Sequence, residues 1–332
     1  MKKIPSWRGS NYLTRFGVFL VMAVLITVIP CSYGGCGDDT PPSQNLEIRT
    51  WYDLNAVREN MSGNHTLMND LDSTTLGYTE LAGPTADGGK GWEPIGYCTA
   101  EASCGCSPYT LVYGLRGTLD GQGHEIRDLF INRPDENAVG LLAYLTEGGI
   151  IKNVGVVNVT VVSFSVGGSL VGVNYGGTVS NCYSTGNVTS GAGIGGLVGH
   201  NSGTISNSYS TGSVSGKSSN SIGGLVGDNG GTISNSYSTC SVTGNLDIGF
   251  GYIGGLVGDN GGTVSSSFWD TETSGQSSSD GGRGKTTEEM QSIATFLDKG
   301  WDIIAVALNE TNPTYIWNIV NNVTYPFLSW ES

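Results

Sequence analysis

Charge is what this chain has least of. Only 13% of its residues are charged, against about 25% in an average soluble domain. Basic residues are the scarcer half: 15 Lys and Arg face 29 Asp and Glu, a net charge of −14. Nucleic-acid binding depends on a basic footprint laid on phosphate, so that partner class is excluded. Histidine is confined to His65, His124 and His200, none paired at metal-ligand or catalytic spacing. A nucleophile triad therefore has no visible base, and the sequence implies neither a cofactor nor a metal. Past the N-terminus long apolar runs are missing too. The run from Phe16 to Ile29 is itself shorter than the ~20 residues that a spanning helix needs.

Glycine is what the chain has in excess, 53 residues without the Gly-X-Y period of collagen, beside 38% hydrophobic residues that suffice for a core. Lys2, Lys3, Arg8 and Arg15 precede the apolar run, and Pro30, Ser32, Gly34 and Gly35 follow it, the layout of a secretory signal over residues 1–35. Residues 36–45 read as a tether. Cys36, followed by Gly37, Asp38 and Asp39, is similar to the acylated start of a bacterial lipoprotein, although Tyr33 stands where an aliphatic residue is usual. Two fates stay open: a lipid on Cys36 that tethers the protein to a membrane, or cleavage near Gly34 or Gly35 with release. Either places the protein outside the cell or on its surface.

Export permits disulfides among the seven cysteines. Cys98, Cys104 and Cys106 share one short segment that reads as a loop closed by a local disulfide. Three thiolates also suit zinc, but no His and no second Cys pair accompany them, so no metal site is assigned.

The chain repeats itself. Leu141, Leu170, Leu197, Leu225 and Leu256 recur at intervals of 29, 27, 28 and 31 residues. Each unit reads as three short β-segments separated by turns, which predicts one coil of an all-β, right-handed parallel β-helix. Stacking at the strand spacing of about 4.8 Å sets each residue above its counterpart. Ile151, Val179, Ile205, Ile233 and Val264 then form a core stripe, and Asn153, Asn181, Asn207 and Asn235, yielding to Ser266, a corner ladder that hydrogen-bonds to itself and to turn backbone. Inward alternation after that corner buries Cys182. Cys240, two coils away at roughly 9.6 Å of rise, is too distant for a disulfide with it, and both read as small buried hydrophobes.

The string Ile194-Gly-Gly-Leu-Val-Gly-His-Asn-Ser-Gly-Thr-Ile-Ser-Asn-Ser-Tyr, with its copy from Ile222, resembles the GLUG repeat. Gly117 to Ile126 and Gly91 to Ile95 resemble the segment that precedes such repeats, and Ser267 to Gly275 the one that follows. Ala143 departs from the pattern where the closing glycine belongs. The resemblance implies a surface scaffold of the kind found in bacterial and archaeal adhesin-like proteins and in accessory regions of an immunoglobulin A peptidase, and it implies no reaction. On this reading residues 46–137 are N-terminal coils with the Cys-rich loop, 138–276 five repeats, and 277–332 a C-terminal cap. Thr286 and Glu289 predict a capping box on a short helix to about Leu297, and Trp301, Trp317, Tyr325, Phe327 and Trp330 supply bulky cover for the last coil.

The same register turns Tyr183, Tyr209, Tyr237 and Phe268 outward as one column. These aromatics stack on one another and strengthen the sheet, and they are also the candidate face for glycans or surface proteins. The central coils are nearly free of the carboxylates that glycosyl cleavage needs. His200, Asp228 and Asp259 share a turn position, and Arg283-Gly-Lys285 lies in a Gly and Ser loop. A noncatalytic adhesion or recognition scaffold is the main expectation, with a polysaccharide-active enzyme and a passive spacer as alternatives.

Overall fold

The structure is a computed structural model that describes residues 45–98, 112–216, 221–244 and 252–331. The lipidation candidate Cys36, the leader and tether, and Cys104 and Cys106 lie outside the described residues. The chain winds into a parallel β-solenoid of roughly five turns. One coil runs Ile194–Gly195, Val198–Asn201, Thr204–Ser206 and Tyr209–Gly216. The expected first segment is thus two strands, because the backbone bends at Gly196 and Leu197 between them. Leu197 still bonds coil to coil, its N–H 3.0 Å from the Leu225 carbonyl, while its side chain is fully buried.

Register matches the repeat. Ile151, Val179, Ile205, Ile233 and Val264 pair in succession, as do Tyr183, Tyr209, Tyr237 and Phe268. The five leucines are fully buried. Asn153, Asn181, Asn207, Asn235 and Ser266 all turn a corner at φ between 44° and 53°. That left-handed region admits Asn better than other non-glycine residues, which explains the recurrence. Side-chain bonding along this column covers only its first rungs, Asn181 to Asn153 and Asn153 to Asp120, each 3.1 Å.

The long amide ladder stands elsewhere. Asn174 donates to Asn201 at 2.8 Å, Asn201 to Asn229 at 2.7 Å, and Asn229 to Asn260 at 2.7 Å. Asn174, Asn201 and Asn229 are fully buried, and Oδ1 of Asn174 and of Asn201 accepts the N–H of Gly177 and of Gly203. Each amide therefore binds its own turn and its neighbour. From sequence Asn229 and Asn260 read as ordinary Asp-Asn-Gly turn chemistry, while Asn174 and Asn201 stand in Val-Asn-Tyr and His-Asn-Ser.

A parallel ladder of hydroxyls completes the interior. The N–H groups of Cys182, Ser208 and Ser236 each donate at 3.2 Å to the hydroxyl one coil on, from Ser208, Ser236 and Ser267. Cys182 occupies the first rung, and burial pushes its thiol up to about 12 and that of Cys240 to about 11. Both are the inert, buried groups expected.

Both ends are closed. Helix Trp51–Ala56, capped by Thr50 and Asp53, was not evident in the sequence; it buries Trp51 and Leu54 at the N-terminal end. At the other end Ser278, Ser279 and Asp280 accept the N–H groups of Gly255, Leu256, Val257 and Asn260. The Thr286 and Glu289 capping box is present, on the first of two short helices, Thr287–Met290 and Ile293–Leu297.

Ala143 now has a reason. A Cβ at Gly199 would fall 2.6 Å from Val166 Cγ1, and one at Gly227 only 2.5 Å from the Ile194 nitrogen, both on the preceding coil. Val166–Gly167 and Ile194–Gly195 belong to a five-stranded sheet whose terminal strand is Ala138–Val139, so no strand of that sheet lies below Ala143. We expect Gly227→Ala to cost about 1–3 kcal/mol by overpacking against backbone. Ala143→Gly should cost no more than the ~1 kcal/mol of an ordinary glycine substitution; equal losses in thermal unfolding would refute the explanation. Asn201→Ala should cost at least ~2 kcal/mol, because several buried groups lose partners worth ~1–3 kcal/mol each. Asn207→Gly, which keeps the left-handed corner accessible, should stay within ~1 kcal/mol of the parent in the same melts.

Candidate functional site

The aromatic column points away from the solenoid core but does not reach solvent. Tyr183, Tyr209, Tyr237 and Phe268 retain 4%, 6%, 2% and 1% of their exposure. This corrects the expectation of an accessible binding face. The rings stack at 4.9 and 4.8 Å, planes within 4° of parallel, so the mutual stacking foreseen from the register is present. What hides them is the C-terminal segment, which runs back along the outside of the coils. Trp301 packs on Phe268 and Tyr237, Trp317 on Tyr237 and Tyr209, and Trp330 on Tyr183. The aromatic cover expected to close the last coil lies instead along the flank, and it makes a second hydrophobic core there with Met290, Phe296, Ile303, Ile319 and Leu328.

Each phenol in this core has an acceptor. Tyr183 donates to Glu125, Tyr209 to Glu331 at 2.7 Å, and Tyr237 to the Pro326 carbonyl at 2.5 Å. Burial raises all three tyrosines far above the ordinary phenol range. Burial also pushes the Glu331 carboxyl up to about 7.

The other groups singled out in the sequence hold the structure together. Buried Asp270 accepts from Tyr325 at 2.6 Å, Thr287 at 2.7 Å, and the N–H groups of Glu272 and Thr273, which fastens the last coil to the cap. Arg283–Lys285 is a strand paired with Phe268–Asp270, and Lys285 binds Glu289 at 2.7 Å. His200 lies 3.4 Å from Asp228, with Asp259 in register beyond. His124 lies 3.1 Å from Asp70, and His65 is buried against the Asn60 carbonyl. Among the described residues, no three His, Cys, Asp or Glu gather as a metal site. Cys98 sits in the short hairpin Tyr97–Cys98 with Val112–Tyr113, at the base of the Cys-rich loop.

That hairpin borders a feature the sequence did not announce. Arg58, Met61, Ser62, Tyr97, Tyr113 and Arg116 line a recess of about 250 Å³. Tyr97 and Tyr113 stack at 4.7 Å and stay exposed. The residues come from three separate, nonrepeating segments, so neither spacing nor periodicity joins them.

The raised Glu331 carboxyl has a testable consequence. The fold holds its proton up to about pH 7, whereas an unfolded Glu loses it near ~4.3. Stability from this group is complete below the unfolded value and is lost as pH rises through about 7. Glu331→Gln, which keeps an acceptor for Tyr209, should therefore lose less stability than the parent between pH 5 and pH 8. Identical pH profiles of the melting temperature would rule this out. The comparison also removes His65, whose burial-lowered pKa acts in the opposite sense in both chains.

Comparison with known proteins agrees with the repeat architecture. Residues 165–189 and 190–215 each match the GLUG motif. Halomucin of Haloquadratum walsbyi is 32% identical over 176 residues, 52% of this chain and 2% of halomucin. A protein of Evansella cellulosilytica, provisionally named a Gly-rich membrane protein, is 29% identical over 178 residues, 50% of this chain and 18% of that protein. The chain thus spans a small part of the curated relatives it matches. The crystal structure of a Bacteroides ovatus protein, provisionally named an immunoglobulin A1 protease, superposes with a TM-score of 0.53 at 19% identity, covering 88% of this chain and 94% of that one. That likeness concerns the fold. The coil-on-coil register, the closing glycines and the two motif matches together show GLUG motifs carried on consecutive coils of a parallel β-solenoid.

Proposed function

We propose that the protein is an exported, cell-surface scaffold for adhesion or recognition, with no catalysis of its own. The observation that carries this reading is a rigid solenoid with both ends closed and its internal polar groups committed to coil-to-coil ladders. Such a body presents surface without needing to move. Its carboxylates support the same view: Asp270 is spent on the cap, and Asp120 bonds Lys152 and Asn153. The relatives named halomucin and Gly-rich membrane protein favour a surface or membrane-associated location. The leader and Cys36 fit export, with either lipid attachment or release.

The full-length protein expressed with its leader should reach the cell surface or medium, and it should be retained on glycan-coated or cell-wall-coated beads without releasing reducing sugar from pectin or other glycans. Reducing-sugar release would replace the scaffold reading with a polysaccharide-active enzyme. Retention on no surface would leave a passive spacer. Incorporation of labelled fatty acid, abolished by Cys36→Ser, decides between tether and release.

A further inference from the structure

The recess beside the Tyr97 hairpin sets two of this acidic chain's few basic residues at one rim. Arg58 and Arg116 both border it, and no Asp or Glu is among its lining residues. Arg58 is held in place: Nε donates to Asn55 Oδ1 at 3.0 Å, Nη2 to the Glu93 carbonyl at 2.9 Å, and the guanidinium lies over Trp92 at 5.8 Å. Its nearest carboxylate, on Glu93, is 3.9 Å from Nη1. Arg116 is exposed, and among the described residues no side-chain partner holds it. Glu93 partly compensates Arg58, whereas Arg116 adds an exposed positive charge at the same recess, which favours an anion there.

The chemistry of the lining narrows that anion. A guanidinium fork matches the two oxygens of a carboxylate. Tyr97, 56% exposed, and Tyr113, 39% exposed, stack with planes 17° apart and offer an aromatic face beside the charges. An apolar face with a polar edge suits a sugar ring, and Ser62 adds a hydroxyl at the rim. At about 250 Å³ the recess falls below the ~300–1,000 Å³ that drug-sized ligands occupy, so it holds one ring, with any further units of a sugar chain lying outside it.

We propose that this recess binds a carboxylated sugar, a uronic acid unit, with the carboxylate on Arg116 and Arg58 and the ring against the tyrosine pair. The proposal rests on the surface-recognition reading and supplies it with a ligand class. It moves the recognition face from the buried column to the N-terminal end of the solenoid.

Glucuronate titrated into the full-length protein, followed by tyrosine fluorescence and calorimetry, should bind saturably. Glucose, which lacks the charge, and acetate, which lacks the ring, should each bind at least tenfold more weakly. Arg116→Ala should weaken glucuronate at least tenfold and Tyr97→Ala at least threefold, with melting temperatures unchanged because both side chains are exposed. Unchanged affinity in both variants, acetate binding as tightly as glucuronate, or no glucuronate binding at all would each overturn the assignment. Retention on polyuronate and neutral-glycan beads separates this site from the broader reading. A double variant still retained on polyuronate rejects the recess and keeps adhesion, whereas a wild type that binds glucuronate but is retained on no surface keeps the recess and rejects adhesion.

Discussion

Every side chain in the repeats must tolerate standing on a copy of itself. Parallel pairing in register sets like residues about 4.8 Å apart, so a position can hold only a group that packs or bonds with its own kind. Leucine and isoleucine satisfy this inside, asparagine in the amide ladder, serine in the hydroxyl ladder, and tyrosine on the flank. Glycine is required where even a methyl group would strike the coil below. Charge fares worst, since a repeated charge repels its copies, and most ion pairs indeed lie outside the repeats, near the two ends. The scarcity of charged residues is therefore a consequence of stacking as much as of solubility.

The constraint also separates architecture from recognition. A ladder position is occupied in meeting its neighbours, and the tyrosine column shows how fully: its faces meet other tyrosines, its edges meet tryptophans, and its hydroxyls have acceptors. Groups free to meet another molecule are found where the repeat stops. The arginines and tyrosines of the N-terminal recess belong to segments without a periodic partner, so stacking does not consume them.

Legibility in the sequence follows the same division. The period exposed the core stripe, the corner asparagines, the tyrosine register and the inward Cys182, because each lies within two residues of a constant offset from the repeated leucine. The amide ladder of Asn174, Asn201, Asn229 and Asn260 recurs as regularly, yet asparagine is what a solvent-facing turn also prefers, followed by glycine at two of the four positions, so spacing alone could not reveal its burial. The path of the C-terminal segment has no periodic mark. Its tryptophans declared that something apolar needed cover, and only the fold showed that the flank, not the end, received it. The recess draws its lining from three stretches of chain, around Arg58, Tyr97 and Tyr113, information that no local pattern contains.

The returning C-terminal segment changes how the whole rod must behave. A solenoid held only by nearest-neighbour contacts frays from its ends and accepts extra coils anywhere along its length. Here Glu331 meets Tyr209, and Trp330 meets Tyr183, whose hydroxyl reaches Glu125. The tail thus works as a measuring strap with fixed fastening points. Inserting or deleting one coil would slide every tryptophan off its tyrosine, so the strap makes repeat number a heritable property of this fold, in an architecture that otherwise invites duplication.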